Sequence, residues 1–247
     1  MPALRRIVHR RRAVLITVTV CGFLLGGVLL ALGERHAEAH DRSQRELKYL
    51  VYVAIVGVVF GAAALGIVWL QGLALLIGIL GARELASALE ARNARDLKLV
   101  VWSVYLGVVV LALVALHFLR PQAAAYLYLV VAVFDGFSQV CGQLVGRHPL
   151  VPRLSPRKTV EGLLGGLAAA VLVAVLARSL AQRSLLAALA IGFSICAVAL
   201  AGDLAASWLK RRAGIKDYGT LLPGHGGVLD RFDSFLPALA LCGALLR

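Results

Sequence analysis

The chain has 247 residues, 60% of them hydrophobic, with a mean hydropathy of +0.86 and a formal net charge of +13. Soluble domains are roughly 45–50% apolar, and apolar runs of about 20 residues mark membrane-spanning helices, so an ordinary soluble globular domain is excluded. The 26 Lys and Arg outnumber the 13 Asp and Glu. They fall in short loops between apolar runs, which fits anchoring to anionic head groups, with an anionic substrate adding to it, and argues against a nucleic-acid partner.

The N-terminus opens with Arg5, Arg6, Arg10, Arg11 and Arg12, followed by an apolar run over 13–32. "AEA" at 37–39 resembles a signal-peptidase site, but the run is longer than a usual signal core, and Glu34 and Arg35 intervene. The expectation is an uncleaved anchor helix with a cytoplasmic N-terminus. Further spans are expected over 48–66, 67–88, 98–119, 123–145, 162–181, 185–206 and 234–247. The last is short, so it either ends early or packs inside the bundle. Residues 33–47 form a charged loop, and 89–98 a short basic one.

The stretch 48–88 decides the parity of the topology: as two crossings it puts 146–161 outside when the N-terminus is inside, and as one long tilted or broken helix it puts both polar stretches inside. As one helix, the apolar residues 49–82 would run about 51 Å against a hydrocarbon core of about 30 Å, so a break or re-entrant turn is expected, with Gln71-Gly72 as the candidate. The two longer polar stretches, 146–161 and 207–233, are separated by two expected crossings and so share one membrane face. The positive-inside rule favours the cytoplasmic face for both. Cys21, Cys141, Cys196 and Cys242 lie in apolar segments with no CxxC pair and read as small core residues.

Ionisable residues within or beside spans are costly and mark function by default. Asp135 interrupts "LYLVVAVFDGFS", Asp203 ends "ICAVALAGD", and Asp230 and Asp233 stand at the lip of the last apolar segment. The last two are spaced i, i+3 and can face one side of a helical turn. Carboxylate oxygens suit Mg2+, which bridges protein and phosphate oxygens. In "PGHGG", Gly224, Gly226 and Gly227 permit close approach of backbone N–H groups to a phosphate. His225 has no partner motif for zinc and is a phosphate donor, an acid/base group or a turn residue. Lys210, Arg211, Arg212 and Lys216 add positive charge. In "LSPRKTVEGLLGG", residues 154–166, Arg157 and Lys158 face the interface, while Thr159 and Glu161 open a helix whose N-terminus favours anions. These residues together suggest a phosphate-bearing polyanion, bound with metal at a membrane interface, for phosphoryl or nucleotidyl transfer.

Residues 207–233, "SWLKRRAGIKDYGTLLPGHGGVLDRFD", resemble the C-terminal signature of the phosphatidate cytidylyltransferases (CDP-diacylglycerol synthases). Its positions are matched by Ser207, Lys210, Arg211, Lys216, Asp217, Pro223, His225, Gly226, Gly227, Asp230, Arg231 and Asp233. "SPRKTVEG", "DGFSQVCGQLVGR" and "AGD" resemble further family elements, so the likeness spans roughly residues 130–234. It implies transfer of CMP from CTP to phosphatidate, giving CDP-diacylglycerol and pyrophosphate in phospholipid biosynthesis. It also implies Asp203 and Asp230 as the leading metal ligands, with Asp217 and Asp233 in support. Asp203, Asp230, His225 and Lys210 would form the catalytic set. Lys158, Thr159, Arg211, Lys216, Gly226, Gly227 and Arg231 would bind nucleotide and phosphates. Mg2+ is the implied cofactor, with a second cation left open. Gln139 and Gln143 depart from the family, whose members often carry Tyr and a basic residue there, and residues 1–120 match no motif.

The expected fold is an all-α, polytopic integral membrane bundle of about seven to eight transmembrane helices, with a polar active site at the cytoplasmic face of the inner cell membrane. Residues 1–120 would serve as anchor and scaffold and 121–247 as the catalytic region of a single membrane domain. Expected partners are CTP, phosphatidate and membrane lipids, with a homodimer open and nucleic acid excluded. The alternatives are a CTP-dependent transferase acting on a polyprenyl or ether lipid, and a non-catalytic lipid-phosphate-binding membrane protein. The intact Asp203, Asp230 and Asp233 argue against the second.

Overall fold

A computed structural model describes residues 39–90, 97–222, 224 and 226–247; the expected span 13–32, Cys21, Pro223 and His225 lie outside the described residues. The protein is an all-α membrane protein with one small hairpin. Helices α1 (Ala39–Leu65), α2 (Ile67–Glu90), α3 (Lys98–Phe118) and α4 (Pro121–Val145) lead to strands β1 (Pro149–Val151) and β2 (Ser155–Thr159). Helices α5 (Val160–Leu176), α6 (Arg178–Ala181), α7 (Leu185–Arg212), α8 (Leu229–Phe232) and α9 (Phe235–Cys242) follow, and a 3-10 turn covers Gly243–Leu246. Among the described residues, α2, α3, α4 and α7 are long and apolar enough to cross a membrane, and 50–65, α5 and 235–246 form shorter apolar helices.

The 48–88 stretch is two helices, and the break falls at Gly66 (φ +122°), with Gln71 and Gly72 inside α2. Residues on both sides of the break, Val59, Leu70 and Leu73, line one small apolar cavity, so the chain folds back. The open end of this hairpin reaches the pole that carries the polar loops. There Glu84 accepts from the backbone of Val228 (2.8 Å), while midway along the bundle the Tyr52 hydroxyl donates to the Ala132 carbonyl (3.0 Å). At the opposite pole Arg120 pairs with Gln182, Arg183 donates to the Arg247 carbonyl, and the Arg247 guanidinium lies 4.6 Å from the Phe118 ring.

Three boundaries differ from the sequence reading, each for a local reason. Polar residues 207–212 continue α7 instead of leaving it, because a Schellman end comes later: Ile215 N–H bonds Lys210 O (3.0 Å) and Gly214 N–H bonds Arg211 O (3.2 Å), with Gly214 at φ +71°. The loop 146–161 contains the β hairpin, in which Pro149 faces Thr159 and Val151 faces Ser155. Glu161 closes it by accepting from the backbone N–H groups of Arg147 (3.0 Å) and His148 (3.2 Å). The expected span 162–181 ends at Leu176, and a separate turn, α6, follows. Thr159 caps α5, its hydroxyl accepting from Gly162 N–H at 3.1 Å.

Lipid tails are as apolar as leucine, so helices associate here through close packing of small residues rather than by escape from water. The α4–α5 contact is of this kind, with Ala170 and Ala174 fully buried. A Cβ at Gly166 would lie 2.7 Å from the Phe134 carbonyl oxygen. Edge-to-face stacking of Tyr128 on Phe235 (5.1 Å) and Phe60 on Tyr128 (5.7 Å) ties α1, α4 and α9 together. The short C-terminal helix packs inside the bundle: Ala238, Leu239 and Cys242 are buried. Cys141, Cys196 and Cys242 are free thiols.

Valine at Gly166 should cost on the order of 1–3 kcal/mol through overpacking. Alanine at Gly107, where nothing lies within 4 Å of the added carbon, should be neutral. Thermal unfolding of the two detergent-solubilised variants should show a lowered midpoint for Gly166→Val alone.

Candidate active site

The last turns of α7 bring Asp203, Ser207 and Lys210 to one face, because residues at i, i+4 and i+7 align on a helix. Continuation of the helix through 207–212 is therefore what builds the site. A close approach of α9 supplies the next carboxylate: a Cβ at Gly202 would lie 2.5 Å from the Asp233 carbonyl oxygen and 2.8 Å from Pro237.

Two lysines hold the carboxylates. Lys158, on β2, pairs with Asp203 Oδ2, and Asp203 Oδ1 accepts from the Ser207 hydroxyl at 3.4 Å. The Lys210 ammonium lies 2.8 Å from Asp230 Oδ1 and 3.7 Å from Asp233 Oδ2, and 5.2 Å from the Tyr218 ring centroid. Only 2% of the Asp230 side chain is exposed. Its Oδ2 accepts from the backbone N–H groups of Tyr218 and Gly227, both at 2.8 Å. Asp230 therefore has two oxygens and three donors, and its first role is to organise the 217–227 loop. Burial, and then the Asp203 charge, push the Asp233 carboxyl well above its ordinary range against the pull of Lys210. Burial also raises the Tyr218 phenol, whose hydroxyl donates to the Ala206 carbonyl at 3.1 Å.

Asp135 enters from α4, within electrostatic reach of Asp203, Lys158 and Arg231. Asp135, Asp203, Asp230 and Asp233 thus meet Lys158, Lys210 and Arg231. Among the described residues no three acidic or imidazole groups gather at metal-ligand spacing; ammonium groups stand between the carboxylates.

Other candidates lie further out. Lys216 and Asp217 are exposed at the rim. Arg211 is exposed and donates from Nε to the Leu154 carbonyl (3.3 Å), which joins the two polar stretches on one face as their spacing requires. The Thr159 hydroxyl serves the α5 cap. Gly226 adopts φ +81° in the turn closed by Leu222 N–H to Gly226 O (2.8 Å), and the Gly227 amide is committed to Asp230. These two glycines shape the turn before any phosphate arrives. Glu84, Tyr52 and Tyr218 were absent from the sequence-derived set. The signal for Glu84 is the one that marks Asp135, an ionisable group inside an apolar run, here "ILGARELAS".

Residues 104–247, more than half of the chain, match the model of the Cytidylyltransferase family. The chain belongs to the cytidylyltransferase family. The matched region contains every element that carried the resemblance in the sequence. It is also similar to proteins named phosphatidate cytidylyltransferase from three staphylococci. The Staphylococcus haemolyticus protein is 41% identical over 123 residues, 49% of this chain and 47% of that protein. The Staphylococcus saprophyticus protein is 42% identical over 123 residues, with the same coverage of each chain. The Staphylococcus epidermidis protein is 38% identical over 132 residues, 51% of each chain. The chain thus spans about half the length of the curated relatives it matches.

Replacing Asp230 with alanine would orphan two backbone donors and strip Lys210 of its nearer partner. Breaking a buried pair typically costs about 3–5 kcal/mol. Asp230→Ala should therefore lower the unfolding midpoint strongly, and Asp230→Asn, which retains an acceptor for the loop amides, should lower it less; differential scanning fluorimetry would show equal losses if Asp230 does not organise the loop.

Proposed function

We propose that this chain transfers CMP from CTP to phosphatidate, giving CDP-diacylglycerol and pyrophosphate at the membrane surface. The observation that carries the reading is the Lys158–Asp203 and Asp230–Lys210–Asp233 assembly at the bundle's polar pole. Membership of the cytidylyltransferase family and the names of the staphylococcal relatives support it.

The chemistry follows from the charges involved. A phosphate monoester has a second pKa near about 6, so at neutral pH phosphatidate is already an anionic nucleophile. The chain need supply no general base. One phosphatidate oxygen forms a bond to the α-phosphorus of CTP, the bond from that phosphorus to the bridging oxygen of the β-phosphate breaks, and pyrophosphate leaves with the electron pair. The chain must hold two polyanions in line against their mutual repulsion. Lys158 and Lys210 supply positive charge at the base of the site, and Arg211 and Lys216 supply it at the rim.

Carboxylate oxygens suit a hard divalent cation, which would have to displace the lysine ammonium groups that stand between them. Asp203 and Asp233, supported by Asp230, would hold Mg2+, which when bound spreads the charge of the phosphates. The two polar stretches carry Arg147, Arg153, Arg157, Lys158, Lys210, Arg211, Arg212, Lys216 and Arg231, against Arg120, Arg178, Arg183 and Arg247 at the other pole. The positive-inside rule therefore supports a site facing the cytoplasm; with 48–88 folded as two helices, this reading gives up the expected cytoplasmic N-terminus ahead of a crossing at 13–32.

The test is purified protein with labelled CTP, phosphatidate and Mg2+. The expected products are CDP-diacylglycerol and pyrophosphate, with turnover lost on chelation and reduced at least ~100-fold in Asp203→Asn, a loss typical of removing one charge-stabilising group. Absence of CDP-diacylglycerol sinks the reading, and activity confined to a polyprenyl or ether lipid phosphate replaces the acceptor.

A further inference from the structure

We infer that Glu84, in the scaffold helix α2, is the positioning residue that sets the Gly227–Asp230 turn for catalysis; the catalytic part of this inference rests on the transferase reading above. Its carboxylate is bidentate on the backbone: Oε1 accepts from Val228 N–H and Oε2 from Leu229 N–H, both at 2.8 Å. These are the residues immediately before Asp230. On one side of the turn Asp230 fixes Gly227 N–H, and on the other Glu84 fixes the next two amides. Three consecutive backbone donors are thus satisfied by two carboxylates from distant parts of the chain.

The neighbouring glycines fit the same account. A Cβ at Gly227 would lie 2.5 Å from Glu84 Cδ, and one at Gly219 would lie 2.7 Å from Glu84 Oε1. Gly227 is therefore bare because Glu84 occupies the space, and its φ lies outside the left-handed region. Glu84 itself is held by α3, where the Tyr105 hydroxyl donates to the Gly78 carbonyl (2.7 Å) and pins the α2 backbone one to two turns earlier. Glu84 packs against the Gly227 backbone and touches none of the side chains proposed to meet substrate; it acts through the 227–229 backbone. A charged acceptor shared by two amides is roughly twice as strong as a neutral one. An error of about 1 Å in a reacting group can cost ~100-fold in rate.

Three measurements on the full chain test the role. Hydrogen exchange should show faster deuterium uptake at 227–232 in Glu84→Ala, with α4 and α5 unchanged. In the transfer assay Glu84→Ala should lower kcat on the order of 10–100-fold while KM for the lipid stays near its wild-type value, and Glu84→Gln, which keeps one acceptor oxygen, should fall between. Finally, Gly227→Ala should disturb the wild type, through its clash with Glu84, but add little in the Glu84→Ala background, a non-additivity expected of residues in contact. Unchanged exchange at 227–232, additive effects in the double variant, or a rise in KM with kcat preserved would each overturn the proposal. Exchange and unfolding midpoints need no turnover, so they judge Glu84 even if the wild type transfers no CMP.

Discussion

The structure depends on giving every carboxylate at the edge of a low-dielectric bundle a polar partner. An isolated buried charge is prohibitively costly, so each aspartate of the site has partners. Lys210 is the central one, lodged between Asp230 and Asp233 and over the Tyr218 ring. Its position follows from α7 running through to Arg212 before the Gly214 cap. A helix that ended at residue 206, where the apolar run stops, would leave Lys210 free in a loop and Asp230 without its cation.

Around that pair, three separate elements converge through devices suited to a lipid-embedded protein. Small residues bring α4 onto α5, which puts Asp135 and the β2 lysine at the same pole. Gly202 lets α9 close on α7, which places Asp233 near Asp203. Glu84 reaches from α2 to the 228–229 backbone. The N-terminal scaffold is thereby tied to the signature by two hydrogen bonds to main chain, a contact insensitive to the identity of residues 228 and 229. It explains how residues that match no motif can still take part in the site.

The glycines of "PGHGG" show how one composition admits two physical readings. From sequence they suggest room for a phosphate to approach the backbone. In the fold, the Gly227 amide is spent on Asp230 and the space beside it is filled by Glu84, while Gly226 provides a left-handed turn residue. On the proposed reading, positive charge for a polyanion comes from side chains, from Lys158 and Lys210 within and Arg211 and Lys216 at the rim.

Much of this protein could be read from its residues. Composition and run length determine a helical membrane fold, because lipid leaves backbone groups no partner but the helix itself. The spacing of two crossings determines that 146–161 and 207–233 share a face, and the signature from Ser207 to Asp233 determines the family. Sequence patterns of this kind are local or periodic, so they survive without coordinates. Tertiary structure alone decided the rest. It put the reversal at Gly66, extended α7 through the charged residues, made a hairpin of 149–159, and paired Lys158 with Asp203 and Lys210 with Asp230 and Asp233. It also recruited Glu84 from 144 residues upstream of Val228. The physical reason is the same in each case: which donor meets which carboxylate depends on helix ends and close approaches between distant segments, and no spacing within a single segment encodes them.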